Sequence, residues 1–178
     1  MTLGMVLNKT EITDIVVGGP VAASTTLVPG LVYKHADGWK QVPTDGSITA
    51  QHSYWNEVTI DNSTGAKGDQ VGDFYGEGAQ VVGDSDGIIP VNGRCKASTN
   101  HVGQLMTHPV PTVADEGDTS TVDLGAQIAA SVQAVYTYGD AAIAVYRGHY
   151  QTEFGLDAEA TPSADTETNC VYEIKRGL

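Results

Sequence analysis

Histidine is the residue type that most often carries acid–base catalysis or binds zinc in proteins. The chain contains five histidines: His35, His52, His101, His108 and His149. None belongs to a closely spaced helical pair of the kind that catalytic zinc sites use. Neither cysteine has the sequence context of a papain-like nucleophile. We therefore expect surface or interface histidines, with no metal site, no catalytic residue and no enzyme.

Alternating carboxylates are a second arrangement that could do chemistry, because they can converge on one hard cation such as calcium. Asp84-Ser85-Asp86-Gly87 resembles the beginning of a calcium loop. The bidentate glutamate that should follow is missing, and Ile-Ile-Pro-Val stands in its place. Because Asp-Gly pairs favour tight turns, the sequence predicts a hairpin turn here and no cofactor.

Two large aromatic side chains, Tyr54 and Trp55, form a third candidate group. Aromatic residues dominate burial in small β-domains, so a core position is the first interpretation. The alternative is a surface that binds a ligand or a partner, which would require a concave pocket with converging polar groups.

Acidic residues outnumber basic ones by 22 to 9, which gives a net charge of −13. The acids are dispersed among small and apolar residues rather than gathered in one block, as in a folded domain with a carboxylate-coated surface. This composition looks like that of proteins from salt-loving organisms. A nucleic-acid binder needs cationic groups that replace phosphate counterions, so the charge balance argues against DNA or RNA as a partner.

The first residues, MTLGMVLNKTEITD, lack a basic region followed by a long apolar stretch, and thus show no signal peptide. No apolar run approaches the roughly 20 residues of a membrane span. We expect synthesis in the cytoplasm and no membrane partner. Cys95 and Cys170 are too few for a disulfide framework; two buried free thiols are expected, with a single bridge as the alternative.

Short runs rich in Val, Thr, Ile and Tyr are separated by glycines, of which the chain has 21, against 7 prolines. This composition is typical of strands and turns. The clearest hairpin joins residues 31–35 to residues 39–43 through Asp37-Gly38, since Asp-Gly tolerates the positive φ of tight turns. Further strands are predicted at residues 58–60, 80–82, 88–91, 141–146 and 170–175.

Two segments depart from this composition. Residues 123–135 could form a short amphipathic helix, because their apolar residues recur at helical spacing. A strand with small side chains is the alternative for this segment. Residues 155–169 have the composition of a mobile or surface-draped segment.

The N-terminal residues form a candidate arm. One interpretation is an ordinary first strand of the core; the other is an arm that adds as a strand to the sheet edge of a neighbouring chain, which is a recognised binding mode. Residues 18–24 would supply the hinge. The candidate partner-binding residues are Leu3, Met5, Leu7, Ile12 and Ile15.

Four segments share a pattern of strands, Pro/Gly turns and a Gly-Asp-rich hairpin: residues 25–42 (TTLVPGLVYKHADGWKQV), 78–98 (GAQVVGDSDGIIPVNGRCKAS), 101–106 (HVGQLM) and 138–148 (YGDAAIAVYRG). In these segments the chain resembles the small capsid cement or decoration proteins of tailed viruses. The resemblance implies a compact β-barrel or β-tulip, often trimeric, seated on the outside of an icosahedral shell. Such proteins clamp neighbouring major capsid subunits and have no active site.

For this chain the resemblance implies a structural virion protein on the capsid surface. Its partners would be the major capsid protein and further copies of the chain, as a homotrimer. Together with the acidic composition, the resemblance indicates a virus of a halophilic, archaeal host.

The expected fold class is mainly β: a small β-barrel or β-tulip with an N-terminal arm and room for one short helix at 123–135. The corresponding division of the chain is an arm at 1–20, then a barrel domain at 21–154 with an inserted segment at 107–137. A surface segment and a C-terminal strand follow at 155–178.

Two other functions stay open from the sequence. A tail, turret or fibre-base component of the virion would form a ring-like oligomer with no affinity for the capsid lattice. An extracellular ligand-binding module or small hydrolase would need a pocket, for which Tyr54, Trp55 and the nearby acids are the candidates.

Overall fold

The computed structural model describes residues 3–48, 52–90, 92–108, 142–151, 155–157 and 166–176. Thirteen β-strands and no α-helix occur in these ranges. The strands are β1 Ile15–Pro20, β2 Thr25–Leu27, β3 Gly30–His35, β4 Gly38–Gln41, β5 Ser53–Asn56, β6 Ile60–Asn62, β7 Val71–Tyr75, β8 Gln80–Asp86, β9 Arg94–Ala97, β10 Leu105–Thr107, β11 Ala144–Gln151, β12 Gly155–Asp157 and β13 Thr166–Ile174. The predicted fold class, mainly β with a small barrel, is confirmed. The predicted helix at 123–135 lies outside the described residues.

Five strands close into a barrel. In the sheet ordered β12-β11-β13-β8-β10-β9, strand β9 also pairs with β11, so β8, β10, β9, β11 and β13 form a ring. Within the ring β8 and β10 are parallel, and every other neighbouring pair is antiparallel. Ring closure removes the open edges that a flat sheet would expose.

The barrel strands supply half of the buried residues of the larger of two hydrophobic cores. They contribute the buried side chains Val81, Cys95, Leu105, Ala144, Tyr146, Cys170, Tyr172 and Ile174. Leu31 and Trp55 belong to the same core but come from β3 and β5 of the other sheet. The larger core therefore also joins the two sheets.

The second sheet has the antiparallel order β1-β7-β5-β3-β4. It curls until its edge strands come together at a single bridge between Val21 and Trp39. The smaller core inside it consists of Val21, Leu27, Val32, Trp39, Ile60 and Phe74. The short pair β2–β6 supplies Leu27 and Ile60 to this core.

Gly19 is the point where β1 passes closest to the smaller core. The Trp39 and Phe74 rings stack there with centroids 4.4 Å apart. A Cβ at position 19 would lie 2.6 Å from Trp39 Nε1, so the close approach of backbone to ring requires glycine.

The hairpin of residues 31–35 and 39–43 is confirmed, whereas the hairpin predicted between residues 80–82 and 88–91 is wrong, although 80–82 do lie in a strand. Strands β3 and β4 meet at Asp37-Gly38 as predicted. Residues 84–86 were predicted as a turn but continue β8, and residues 88–90 form no strand. The reason is that β8 pairs with β13 and β10, which lie far away in the sequence. The predicted strand at 58–60 begins only at Ile60.

Both ends of the described chain contribute strands to the folded body. Residues 15–20, within the segment taken as an arm, form β1 of the second sheet. Residues 166–174, within the segment taken as a surface addition, form β13 of the barrel ring. Residues 109–141, which contain most of the inserted segment, lie outside the described residues.

Candidate partner-binding surface

The N-terminal residues run along the barrel before they enter β1. Gly4 N donates to Val82 O at 2.8 Å, and Val82 N donates to Met5 O at 2.9 Å. Val6 bridges Val81 and is buried in the larger core. On the edge of β8 that faces β10, strand β10 pairs only with residues 85–86. The earlier residues of that edge are paired with the N-terminal residues instead. The N-terminal residues thus pair with their own chain here, and pairing with a neighbouring chain stays a prediction.

Glu57 fixes the same segment from the side of the second sheet. Its Oε1 accepts a hydrogen bond from Val6 N at 3.3 Å, and its Oε2 lies 2.6 Å from Lys9 Nζ. The hydrogen bond and charge of Glu57 raise the pKa of Lys9 above its ordinary value. Trp55 Nε1 donates to Gly4 O at 2.8 Å within the buried interior. The N-terminal segment is therefore held by hydrogen bonds to its backbone and by the ion pair between Lys9 and Glu57.

Four chain segments meet beside Gly4, whose carbonyl accepts the hydrogen bond from Trp55. A Cβ on Gly4 would lie 2.7 Å from Pro29 Cβ, so the N-terminal segment touches the β2–β3 turn. Asn56 Nδ2 donates to Val28 O at 2.9 Å and to Val58 O at 2.6 Å, which draws the β5–β6 turn to the same place. A Cβ on Gly103 would lie 3.6 Å from Val28 Cγ2, which adds the β9–β10 turn.

Each of these segments exposes one large apolar side chain. The exposed fractions are 40% for Leu3, 37% for Val28, 55% for Val58 and 53% for Val102. We call these four residues the apolar end. Single exposed apolar residues are normal on a soluble protein, but several gathered at one place mark a surface that binds another molecule.

The five residues predicted to bind a partner are placed in different surroundings. Leu3 belongs to the apolar end. Met5 and Leu7 are half-buried beside β8, and Ile12 packs against the larger core. Ile15 is exposed on β1, opposite Tyr75 of β7.

Val28, Val58 and Val102 were not predicted as binding residues. They are isolated valines in turns, so the local sequence carries no periodic signal that could have identified them. Only the tertiary hydrogen bonds of Asn56 and the glycine contacts bring them together.

The aromatic pair Tyr54 and Trp55 is divided between two faces of β5. Trp55 is buried in the larger core, so the predicted core position is confirmed for this residue. Tyr54 is half-buried; its hydroxyl donates to Asp14 Oδ1 at 3.1 Å, and the Arg176 guanidinium lies 4.2 Å from its ring centre. Tyr54 also lines a cleft, described below.

Residues 83–87 read Gly-Asp-Ser-Asp-Gly, which matches the Gly-x-Ser-x-Gly pattern of α/β-hydrolases, so the expectation that no such pattern occurs is wrong. That pattern places the serine at an exposed strand-to-helix turn. Here Ser85 lies within β8 and is fully buried, and its Oγ has no hydrogen-bond partner among the described residues. The geometry does not present this hydroxyl to a substrate.

Asp84 and Asp86 lie on one side of β8; the buried Oδ1 of Asp84 has no hydrogen-bond partner among the described residues, whereas Asp86 has two. Asp86 accepts hydrogen bonds from Ser98 Oγ and from Asn100 Nδ2, the latter at 2.9 Å, and so holds the β9–β10 turn. Burial raises the pKa of the Asp84 carboxyl above its ordinary value. Among the described residues, no group of three or more His, Cys, Asp or Glu side chains could hold a metal ion.

The two cysteines are buried inside the barrel and are not joined by a disulfide. Burial raises the pKa of the Cys95 thiol to about 12, so the thiolate form is disfavoured. The predicted pair of buried free thiols is confirmed, and their surroundings are those of inert core residues.

Comparison of the chain with protein-family models, with curated proteins and with solved structures finds no match. In the part of the chain that the structure describes, no helix has the length and apolar character needed to cross a bilayer. The functional argument therefore depends on the geometry of the surfaces described here.

Proposed function

We propose that this chain is a structural virion protein that binds the outside of an icosahedral capsid and stabilises contacts between major capsid subunits. The proposal combines the sequence resemblance with one structural observation, the apolar end. A protein of this kind needs a stable body and an exposed surface that recognises its neighbours. Both the barrel and the apolar end are compatible with that role.

The apolar end is suited to a rigid partner because its four residues sit on turns that are tied to the body. Glu57 and Trp55 hold the N-terminal turn, and Asn56 holds the turns that carry Val28 and Val58. Little conformational freedom would be lost when such turns contact another protein, which favours affinity. The contact would bury apolar area that is exposed in the single chain.

The stabilising effect would follow from mass action. A protein that binds the assembled shell but not the dissociated subunits shifts the assembly equilibrium toward the shell. No catalytic group is required for this effect. The net charge of −13 would keep the outer surface hydrated and the particles apart.

Co-sedimentation with capsid shells tests the proposal. The full chain should bind assembled shells saturably and dissociated capsid subunits weakly, and it should raise the temperature at which the shells come apart. Light scattering in multimolar KCl and in dilute buffer should give the mass of a trimer. A monomer in both buffers would contradict the homotrimer, and absence of shell binding would contradict the function.

A matched pair of variants tests the surface itself. Val58→Asp should weaken shell binding by about fivefold or more, since truncating or charging a central interface residue costs over about 1 kcal/mol. Ile88→Asp is the control, because Ile88 is 54% exposed and lies elsewhere. Ile88 comes before the start of β9, whereas Val102 of the apolar end follows the end of β9. Equal effects of the two variants would remove the apolar end from the proposal.

A further inference from the structure

A cleft of about 410 Å³ opens where the second sheet fails to close. The bridge between Val21 and Trp39 joins the sheet edges near the start of β4. The bridge is parallel, so the residues that precede Val21 lie beside the residues that precede Trp39. Because β4 begins at Gly38, most of β1 extends beyond the start of β4 and has no β4 residue to pair with. The cleft lies between that overhanging part of β1 and the hairpin, and its volume lies in the range of about 300–1,000 Å³ typical of binding sites.

One wall of the cleft is a strand edge with apolar side chains. Strand β1 pairs with β7 on one side only, so alternate N–H and C=O groups along it point away from β7. Val16 and Val17 line this wall, and Trp39 and Tyr54 line the other side. Val17 is 74% exposed, the largest exposure among the apolar side chains of β1.

The rim of the cleft is cationic, although the chain as a whole is strongly acidic. Of its nine Lys and Arg residues, Lys34 and Lys67 both line the cleft. Neither forms an ion pair with any described residue; Lys67 Nζ donates to Ala36 O at 2.9 Å. By contrast Lys9, Lys40, Arg147 and Arg176 are each paired with a carboxylate.

The carboxylates near the cleft are already engaged. Asp37 Oδ2 lies 3.5 Å from Lys40 Nζ. Asp73 Oδ1 accepts a hydrogen bond from Gly18 N at 2.9 Å. The two lysines are therefore left to attract an anion from outside.

We propose that this cleft binds an extended, carboxylate-bearing segment of a partner protein, which adds along β1 and places its acidic side chains against Lys34 and Lys67. Strand addition supplies main-chain affinity, and the alternate side chains supply specificity. The paired strand is short, because Pro20 has no N–H and the register of β1 shifts between Val16 and Gly19. The charge complementarity selects an acidic segment over a basic or neutral one.

The test uses a fluorescein-labelled peptide with the sequence Glu-Val-Glu-Val-Glu-Val and a second peptide in which Gln replaces Glu. Anisotropy titration of the full chain at low salt should show binding of the Glu peptide, and the Gln peptide should bind about tenfold more weakly. Hydrogen exchange should slow at residues 15–19 when the Glu peptide is bound, since strand pairing protects backbone N–H groups.

Lys34→Gln with Lys67→Gln should weaken Glu-peptide binding by about five- to tenfold, because two exposed ion pairs are lost. Lys96→Gln with Lys175→Gln is the matched control: it removes the same charge from Lys96 in β9 and from Lys175, which follows β13, both outside the cleft, and should change binding less than twofold. Circular dichroism melting checks that all variants remain folded.

Four results would overturn the inference. They are equal binding of the two peptides, equal effects of the two double variants, unchanged exchange at residues 15–19, and displacement of the peptide by free glutamate at equal concentration. The last would assign the cleft to small anions instead. Because none of these measurements involves a capsid, failure here leaves the proposed capsid binding standing, and the reverse also holds.

Discussion

Each of the five barrel strands is paired on both sides, whereas the second sheet has two edges, β1 and β4, that meet at one bridge between Val21 and Trp39. Both regions have fully buried apolar interiors. In the ring, strand closure satisfies the edge backbone groups; in the sheet, part of β1 faces a cleft. Closure favours stability, and incomplete closure leaves a place where another chain can bind.

The surface features follow the same division. Val28 and Val58 of the apolar end lie on turns that lead into or out of the second sheet. Of the two cleft lysines, Lys34 lies in β3 and Lys67 lies between β6 and β7. The barrel contributes Val102 to these surfaces, from the turn between β9 and β10. We infer that the barrel acts chiefly as a rigid support and that the second sheet carries the recognition surfaces.

The largest expected effect concerns thiol reactivity inside the closed barrel. The pKa of Cys95 is raised from 9.0 to about 12, a difference of about three units that lowers its thiolate fraction roughly a thousandfold. Both thiols should resist Ellman's reagent at pH 8 in the native protein and react at once in urea. Rapid labelling of native protein would show that the barrel opens locally and would weaken the comparison.

A matched pair of leucines compares the stability of the two interiors directly. Leu105 in the barrel and Leu27, which β2 contributes to the smaller core, are both 0% exposed. Either change to alanine should cost about 2–5 kcal/mol, the range measured for buried leucines. We expect Leu105→Ala near the upper end, because a ring paired on both sides relaxes less around a cavity.

Urea unfolding followed by circular dichroism measures both free energies of unfolding. A larger loss for Leu27→Ala would contradict the view that the ring is the more rigid region. Two separate transitions in either variant would show that the regions unfold independently, despite the core residues Leu31 and Trp55 that they share.

The sequence predicts local elements of this fold better than its long-range pairing. The β3–β4 hairpin follows from Asp37-Gly38 and alternating side chains within a few residues. The turn at Asp84 to Gly87 was predicted from the same kind of signal, yet β8 continues because β13 pairs with it from the far end of the chain. Asp-Gly tolerates a turn but does not require one when a distant strand is available.

The candidate surfaces were even less accessible to prediction. Leu3 was identified because it lies in an apolar N-terminal run, but its neighbours at the apolar end are single valines in turns. The cleft depends on the length by which β1 overhangs the β3–β4 hairpin, which no local pattern encodes. Charge composition indicated an acidic surface and could not locate the two lysines that interrupt it.

A smaller effect is expected at the joint between the two regions. Arg176 follows β13; its Nη2 lies 3.0 Å from Asp14 Oδ2, its Nε donates to Ser53 O at 2.9 Å, and it stacks on Tyr54. Arg176→Gln should cost about 1–2 kcal/mol of stability, as expected for charge-assisted hydrogen bonds. Lys175→Gln, at an exposed neighbour, should change the free energy of unfolding by less than about 0.5 kcal/mol. Equal losses would show that the joint contributes nothing specific.

The smallest expected effect is on the stability of the protein when the charge of Asp84, in strand β8 of the barrel, is removed. The pKa of Asp84 is raised by burial, so the folded state favours the protonated carboxyl. The resulting contribution to stability is present below the ordinary pKa of 3.8 and is lost as the pH rises through the higher folded pKa. At neutral pH the charged carboxylate therefore destabilises the wall of the ring.

Asp84→Asn should accordingly raise the melting temperature at pH 7 and leave it unchanged near pH 3. The gain should stay below about 1 kcal/mol because the carboxyl is partly solvated. Asp86→Asn is the control on the same side of β8: its carboxylate accepts hydrogen bonds from Ser98 and Asn100, so its loss should destabilise the protein at pH 7. If both substitutions stabilise at pH 7, general relief of negative charge explains the result, and the burial of Asp84 does not. Opposite signs would show that the ring wall discriminates between a carboxylate with partners and one without.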